Sequence, residues 1–343
     1  MTIEVNADRH DQYDAIPRCF FVVGAQRSGT TLLRILLDRH SMVAIPPETA
    51  GMIPELHAHR DRYGRNGRLE DVAAFVGDLE RHPGFRSWGI STDAIRSELG
   101  GATTLSQAIE AVYLTYAHLR GKKGWGDKTP QYVEHVQLLA GLFPDARFIH
   151  MIRDGRDVAM SELDLHRLHR HAASAAFLWS RKVRIGREAG RALADGRYME
   201  LRYEDMLASP DTELARLCRF LGLSYEPTML SHDPTAIRGT LMSMPVVARA
   251  QHQRLLLPPT KGLRDWRNQM APTDVAQFEA IAGNVLVQTG YPLAEPDTLP
   301  IDRLRAWLRV TEFAIRSSGP RLRFRRRKRR RWRETGEERR LVS

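Results

Sequence analysis

Two stretches of this 343-residue chain combine small residues and cations in patterns able to hold an anion. The first is Gly24-Ala25-Gln26-Arg27-Ser28-Gly29-Thr30-Thr31. It follows the apolar run Cys19-Phe-Phe-Val-Val and precedes Leu32, Leu33, Leu36 and Leu37, which recur at helical spacing. Small residues in such a loop let backbone N–H groups turn toward an anion, and the N-terminus of the following helix adds partial positive charge. The spacing matches the phosphate loop G-x-x-x-x-G-K-[ST], except that Thr30 stands in place of the lysine. A nucleoside-triphosphate enzyme uses that lysine to reach the β- and γ-phosphates and the neighbouring hydroxyl to hold magnesium. Its absence argues against that chemistry, and Arg27 supplies a cation inside the loop instead.

The second stretch is Met151-Ile152-Arg153-Asp154-Gly155-Arg156-Asp157-Val158-Ala159-Met160-Ser161. An arginine at a strand terminus and a serine two turns into the next helix can converge on one phosphate, the arginine acting as a forked donor. Taken alone, R-D-G-R-D also reads as an ordinary polar turn; its place after the first loop favours a second anion site. The thirteen histidines include His166, His169 and His171, in an Arg-rich polar stretch with no cysteine or matching carboxylate pattern. That is a solvated segment, and no metal site is expected.

These groups need a scaffold to deliver them. Cys19–Gly24, Arg147–Ile152 and Tyr198–Tyr203 read as core strands and Met42–Ala44 as a short one. Thr30–Arg39, Ala108–Leu119, Gln131–Leu142, Ala172–Leu193 and Pro210–Leu221 read as helices, the last after a Ser209-Pro210 start. Strands alternating with helices predict an α/β fold: a P-loop-like, three-layer arrangement with a central parallel sheet and helices on both faces. Such sheets bind ligands at the carboxyl ends of their strands, where both anion stretches fall.

Composition bounds the remaining choices. A length of 343 residues with 42% hydrophobic content suffices for one large core with a small accessory lobe. Cys19 and Cys218 cannot make a disulfide framework and read as buried thiols of a reducing compartment. No run approaches 18 apolar residues, and the polar, acidic N-terminus resembles neither a signal peptide nor a membrane anchor, which points to a cytoplasmic protein. The net charge of +11 is concentrated: residues 321–343 carry twelve Arg/Lys and three Glu, leaving about +2 for the rest. The expected organisation is a polar segment over 1–17, a catalytic domain over 18–300, an amphipathic helix over 301–320 and a basic tail over 321–343.

The first loop resembles the 5′-phosphosulfate loop of sulfotransferases that use 3′-phosphoadenylyl sulfate (PAPS). It is closest to the Arg-Ser-Gly-Thr-Thr type of protein-tyrosine and many bacterial sulfotransferases; the cytosolic aryl type carries Lys at the position of Arg27. The resemblance implies that Arg27, Ser28, Gly29, Thr30 and Thr31 bind the 5′-phosphosulfate, and that Arg153 and Ser161, eight residues apart, form the 3′-phosphate site. Lys128, in Gly126-Asp-Lys-Thr-Pro130, sits where the family places a catalytic lysine. Tyr203 resembles a tyrosine near the adenosine end. Lys261 and Gly262, ahead of Trp266, loosely resemble the loop that closes over the cofactor, with Arg264 as a competing cation. Glu48, in Pro46-Pro47-Glu48-Thr49, resembles the Glu-Thr pair whose glutamate is the general base of protein-tyrosine sulfotransferases. The histidine that serves the aryl type is absent, since Pro130 occupies its place.

What the resemblance implies is an in-line transfer of a sulfuryl group from PAPS, without a metal, to a hydroxyl of a glycan, lipid, small molecule or tyrosine. Arg27 and Lys128 would neutralise the developing charge and Glu48 would take the acceptor proton. The competing readings are a P-loop small-molecule kinase and a basic-tailed membrane or nucleic-acid binding protein. Ile301, Leu304, Trp307, Leu308 and Phe313 are expected on one helical face, followed by ten basic residues among the thirteen of Arg321–Arg333. That pattern fits an anionic membrane surface, which would make the protein peripheral at the inner face. Nucleic acid is the weaker partner because no groove-binding motif accompanies the charge.

Overall fold

A computed structural model of the chain describes residues 19–49, 51–164, 171–194, 196–231, 265–294 and 299–316. The expectations for 1–17, His166, His169, Lys261, Gly262, Arg264 and the basic tail lie outside the described residues. The chain forms two compact units, Met1–Asp154 with Arg181–Arg264, and Gly155–Ser180 with Asp265–Ser343. The strands are β1 (Cys19–Gly24), β2 (Val43–Ala44), β3 (Gly124–Lys128), β4 (Arg147–Ile152) and β5 (Tyr198–Arg202). The helices are α1 (Thr30–Asp38), α2 (Met52–Ala58), α3 (Val72–Arg81), α4 (Pro83–Arg86), α5 (Thr92–Glu98), α6 (Leu105–His118), α7 (Val136–Leu142), α8 (Gly155–Leu163), α9 (Ala172–Arg191), α10 (Tyr203–Ala208), α11 (Pro210–Leu221), α12 (Trp266–Gln269) and α13 (Pro272–Gln288).

The first unit holds a five-stranded sheet in the order β2-β3-β1-β4-β5, with every neighbouring pair parallel. β1 lies in its centre and every one of its residues is buried. A strand covered on both faces reads as a continuous apolar run, which is why Cys19-Phe-Phe-Val-Val is legible in the sequence. On one face Phe21 stacks on Phe148 at 5.4 Å and meets Trp125 edge-on at 5.9 Å, while Tyr113 of α6 stacks on Trp125 at 4.3 Å. On the other, Phe20 and Val22 pack with Leu33 and Leu37 of α1 and Leu214, Leu217 and Leu221 of α11. The three expected layers are present, and Cys19 and Cys218 are buried thiols.

Local signals explain several boundaries. α6 starts on a capping box in which the Thr104 hydroxyl accepts from the Gln107 N–H and the Gln107 side chain reaches back. α11 starts with Pro210 in its first turn and stops at Gly222, whose φ of 71° is left-handed. Two expectations need correction. Residues 130–135 form a 3₁₀ turn, Pro130–His135, and only Val136–Leu142 is α-helical. Tyr203 is the first residue of α10 and not the last of a strand. β3 is a core strand beside β1 that carries little strand signal of its own, because Gly-Trp-Gly-Asp-Lys contains no β-branched residue. Its Gly126 is required by packing: a Cβ there would run into the Phe20 ring.

Asp127, on β3, is turned toward the aromatic face, where the Tyr113 hydroxyl donates to its Oδ2 at 2.6 Å. Burial pushes this carboxyl up to about 6, against the Tyr113 hydrogen bond, which favours the charged form.

In the second unit α8, α12 and α13 close around Arg156, which has no exposed surface. Its guanidinium bonds Glu279 at 2.5 Å, donates to the Pro292 carbonyl at 2.9 Å and lies 3.6 Å from the Trp266 ring centroid. The Trp266 N–H donates to Asp157 at 3.0 Å, so the second half of R-D-G-R-D is structural. The helical stretch 300–316 docks Ala306 and Val310 against Ala173 and Phe177. Among the described residues no helix is long and apolar enough to cross a membrane.

Two stability outcomes follow. Glu279→Gln takes the carboxylate away from a buried arginine and should cost about 3–5 kcal/mol in urea unfolding, with Arg156→Met/Glu279→Leu recovering most of it. A single variant within about 1 kcal/mol of wild type would show that the charge is compensated elsewhere. For Asp127, the folded state keeps a proton between about pH 4 and 6 that the unfolded chain has lost. Its contribution to stability therefore falls as pH rises through that window, by up to about 3 kcal/mol, and Asp127→Asn should remove that slope. Identical pH profiles for the two proteins would contradict a raised Asp127.

Candidate active site

All five strands point their carboxyl ends at one edge of the sheet, and each is followed by an expected site residue or loop. In spatial order these are Glu48 after β2, Lys128 closing β3, the Ala25–Gly29 loop after β1, Arg153 after β4 and Tyr203 after β5.

The loop is built by conformations that side chains rarely allow. Gly24 has φ 151° and sits so close to β4 that a Cβ would lie 2.5 Å from the Met151 carbonyl oxygen. Gly29 has φ 92°, and its missing side chain leaves the room that the Tyr203 ring occupies. Arg27 takes a left-handed φ of 68° without being glycine, a strain on the order of 1–2 kcal/mol that the surrounding loop must hold. α1 then starts with Gly29 as its N-cap, with no side-chain cap and no acidic residue in its first turn. Its first N–H groups have no intrahelical partner, and they carry the positive end of the helix dipole. Ser28 is 1% exposed, and its Oγ is buried with no hydrogen-bond partner. A buried hydroxyl lacking a partner beside a bare helix N-terminus fits an anion that supplies the acceptors, as a 5′-phosphosulfate would. Thr30 and Thr31 are buried on the same turn.

Glu48 and Lys128 meet on one side of this loop. Lys128 Nζ donates to Glu48 Oε2 at 2.6 Å and lies 3.5 Å from Thr31 Oγ1. The lysine is almost wholly buried while the glutamate is a third exposed, so the carboxylate is the open member of the pair. The segment carrying Glu48 is held from several directions. Arg34 Nε donates to the Ile45 carbonyl at 3.0 Å, and the Ile45 N–H donates to Asp38 at 2.8 Å. Trp88 Nε1 donates to the Pro47 carbonyl at 2.9 Å, and the Tyr132 hydroxyl lies 3.4 Å from Thr49 Oγ1. The absence of a side chain at Gly84 lets α4 close on the Thr49 backbone, 2.7 Å from where a Cβ would sit.

Arg153 and Tyr203 meet on the other side. The Arg153 guanidinium lies 4.6 Å from the Tyr203 ring centroid, and its Nη1 donates to the Arg27 carbonyl at 3.4 Å. The Asp154 N–H donates to Glu204 at 2.9 Å, tying the end of β4 to the start of α10. Thus Arg27, Gly29, Arg153 and Tyr203 are brought together. Ser161 stands on α8, in the second unit, and is buried there. Among the described residues no group of three or more His, Cys, Asp or Glu side chains is placed to hold a metal ion.

Several contributors escape a reading of the sequence. Lys182 of α9 brings its Nζ to 3.5 Å from Gln26 Oε1 and adds a cation beside the loop, yet in the sequence it is one of many cations on a basic helix. Arg34, Trp88 and Tyr132 hold Ile45, Pro47 and Thr49 around Glu48 across 11 to 83 residues of chain, and no local pattern marks them.

Comparisons with known proteins bear on the fold and the family. Protein-tyrosine sulfotransferase 2 of Gallus gallus is 26% identical over 290 residues, covering 80% of this chain and 70% of its own. The sulfotransferase domain from the curacin biosynthetic pathway shares the fold with a TM-score of 0.56 at 20% identity, over 81% of this chain and 99% of that domain. The sulfotransferase domain from the Synechococcus PCC 7002 olefin synthase gives 0.53 at 21% identity, over 81% and 95%. A model described as "Sulfotransferase family" matches residues 17–227, which hold the loop, Glu48, Lys128, Arg153, Ser161 and Tyr203, and the chain therefore belongs to the sulfotransferase family.

Proposed function

We propose that this protein transfers the sulfuryl group of PAPS to an acceptor hydroxyl at the edge formed by Glu48, Lys128 and the Ala25–Gly29 loop. The observation that carries the reading is the 2.6 Å Lys128–Glu48 pair set directly beside the anion cradle. A base and a cation in contact at the mouth of an anion site supply what such a transfer requires of the protein. Membership of the sulfotransferase family supports PAPS as the donor.

The donor's 5′-phosphosulfate would be held by the loop N–H groups, Ser28, the α1 N-terminus and Arg27. Arg153, whose guanidinium lies over the Tyr203 ring, suits the 3′-phosphate as a forked donor. Glu48 takes the proton of the acceptor hydroxyl as its oxygen bonds sulfur. The bond from sulfur to the 5′-phosphate oxygen breaks in line, and adenosine 3′,5′-bisphosphate (PAP) leaves. Lys128 and Arg27 offset the negative charge on the leaving oxygen and on the sulfuryl oxygens. Every donor in this scheme is a protein group, so magnesium is not called upon.

The acceptor class is the finer part of the proposal. The relatives carry the name protein-tyrosine sulfotransferase, which supports a tyrosine hydroxyl as the first acceptor to offer, with glycan, lipid and small-molecule hydroxyls beside it.

Labelling with ³⁵S-PAPS across such an acceptor panel tests the activity. With a working acceptor, Glu48→Gln should lower kcat by roughly 10²–10⁴ and leave PAP affinity nearly unchanged. A variant that turns over within about tenfold of wild type would remove Glu48 as the base.

A further inference from the structure

Away from the sheet edge, the helical stretch 300–316 of the second unit has two apolar faces. One is docked through Ala306 and Val310. On the other, Ile301, Leu304, Trp307, Leu308 and Ile315 are exposed by 47, 56, 57, 61 and 71%. At one turn per 3.6 residues, Ile301, Leu304, Leu308 and Ile315 share a stripe about 60° wide, with Trp307 about 60° beyond its edge and the docked face roughly opposite. Phe313, expected on this stripe, is half-buried and falls on the docked side, while Ile315 takes its place. Single exposed apolar residues are ordinary, but five large ones along one helix form a patch that calls for a partner.

The surrounding charge selects the partner. Arg305 and Arg316 border the stripe on the solvent side, in ion pairs with their helix neighbours Asp302 and Glu312. In sequence the stripe is followed by Arg321–Arg333, ten basic residues among thirteen, with Phe324 and Trp332 interleaved. A second copy of the chain would bring the same dense positive charge against itself, which opposes association. A nucleic acid would engage the charge and leave the apolar stripe in water. A bilayer carrying anionic lipids satisfies both, because it offers a negative surface above an apolar interior.

We propose that the 300–316 stretch is a membrane-surface element. Its stripe of Ile301, Leu304, Leu308 and Ile315 enters the headgroup–acyl boundary, and the basic run that follows in sequence supplies attraction to anionic lipid. The proposal does not depend on the acceptor of the transfer reaction, although it would place that reaction beside a membrane.

The test uses the full-length chain with phosphatidylcholine vesicles, with and without phosphatidylserine, read by co-sedimentation and by quenching of tryptophan fluorescence with brominated lipid. Wild type should bind the phosphatidylserine vesicles at physiological salt and bind plain phosphatidylcholine at least about tenfold more weakly. Leu304→Glu/Leu308→Glu changes two exposed side chains and should weaken binding about tenfold or more with an unaltered melting temperature. Replacing Arg325, Arg326, Arg327, Arg329, Arg330 and Arg331 by Gln should weaken it at least as much. No binding of wild type at physiological salt overturns the proposal. So does unchanged binding of the Leu304→Glu/Leu308→Glu variant, which would mean that the tail acts alone. A dimer that this variant converts to monomer, with vesicle binding intact, would reassign the stripe to a second copy. Binding of single-stranded RNA in place of vesicles would reassign the charge to nucleic acid.

Discussion

The turn from β1 into α1 is the constraint on which the rest of the structure depends. It can be made only because Gly24 and Gly29 lack side chains, one pressed against the β4 backbone and the other against the Tyr203 ring. Because those neighbours come from β4 and from the start of α10, the loop fixes the carboxyl ends of three strands relative to one another. Arg27 held in a left-handed conformation shows that the chain accepts local strain to complete the turn. What is gained is a helix N-terminus with uncapped N–H groups and a buried serine hydroxyl that lacks a partner.

The Glu48–Lys128 pair depends on the same turn from the other side. α1 supplies Thr31 beside Lys128, and through Arg34 and Asp38 it also grips Ile45, three residues ahead of Glu48. One helix therefore positions the anion cradle at its N-terminus and the candidate base through its flank. The aromatic layer beneath β3 does the complementary work: Trp88 holds the Pro47 carbonyl and Tyr132 reaches Thr49. Asp127, the neighbour of Lys128, faces that layer and is bonded by Tyr113, which separates its role from that of the partly exposed Glu48.

Much of this was legible from residue order because the informative signals are local. Strand, glycine-bearing loop and amphipathic helix occur within about twenty residues around Arg27, and Arg153 stands directly after an apolar strand. β3 was not legible, since its strand character comes from insertion between β1 and β2 and not from its own residues. Tyr203 reads from sequence as the end of a strand, because Tyr198-Met-Glu-Leu-Arg-Tyr alternates like a strand up to the residue where α10 begins. Arg156 could not be told from Arg153 by type or motif. Only burial against Glu279 and Trp266 shows that the first arginine faces the loop while the second holds the second unit together. Long-range anchors such as Trp88 and Lys182 leave no periodic trace at all. Helical spacing alone likewise could not say which side of the 300–316 stretch is docked.

The central claim is that the sheet edge is an anion cradle built from protein donors for a nucleotide bearing a 3′- and a 5′-phosphate. The most direct measurement is a calorimetric titration of the protein with PAP in EDTA, compared with ATP in the presence of magnesium. The account predicts saturable one-to-one binding of PAP that magnesium does not alter, and weaker or no binding of ATP with magnesium. Binding of ATP that requires magnesium, with none of PAP, would contradict it.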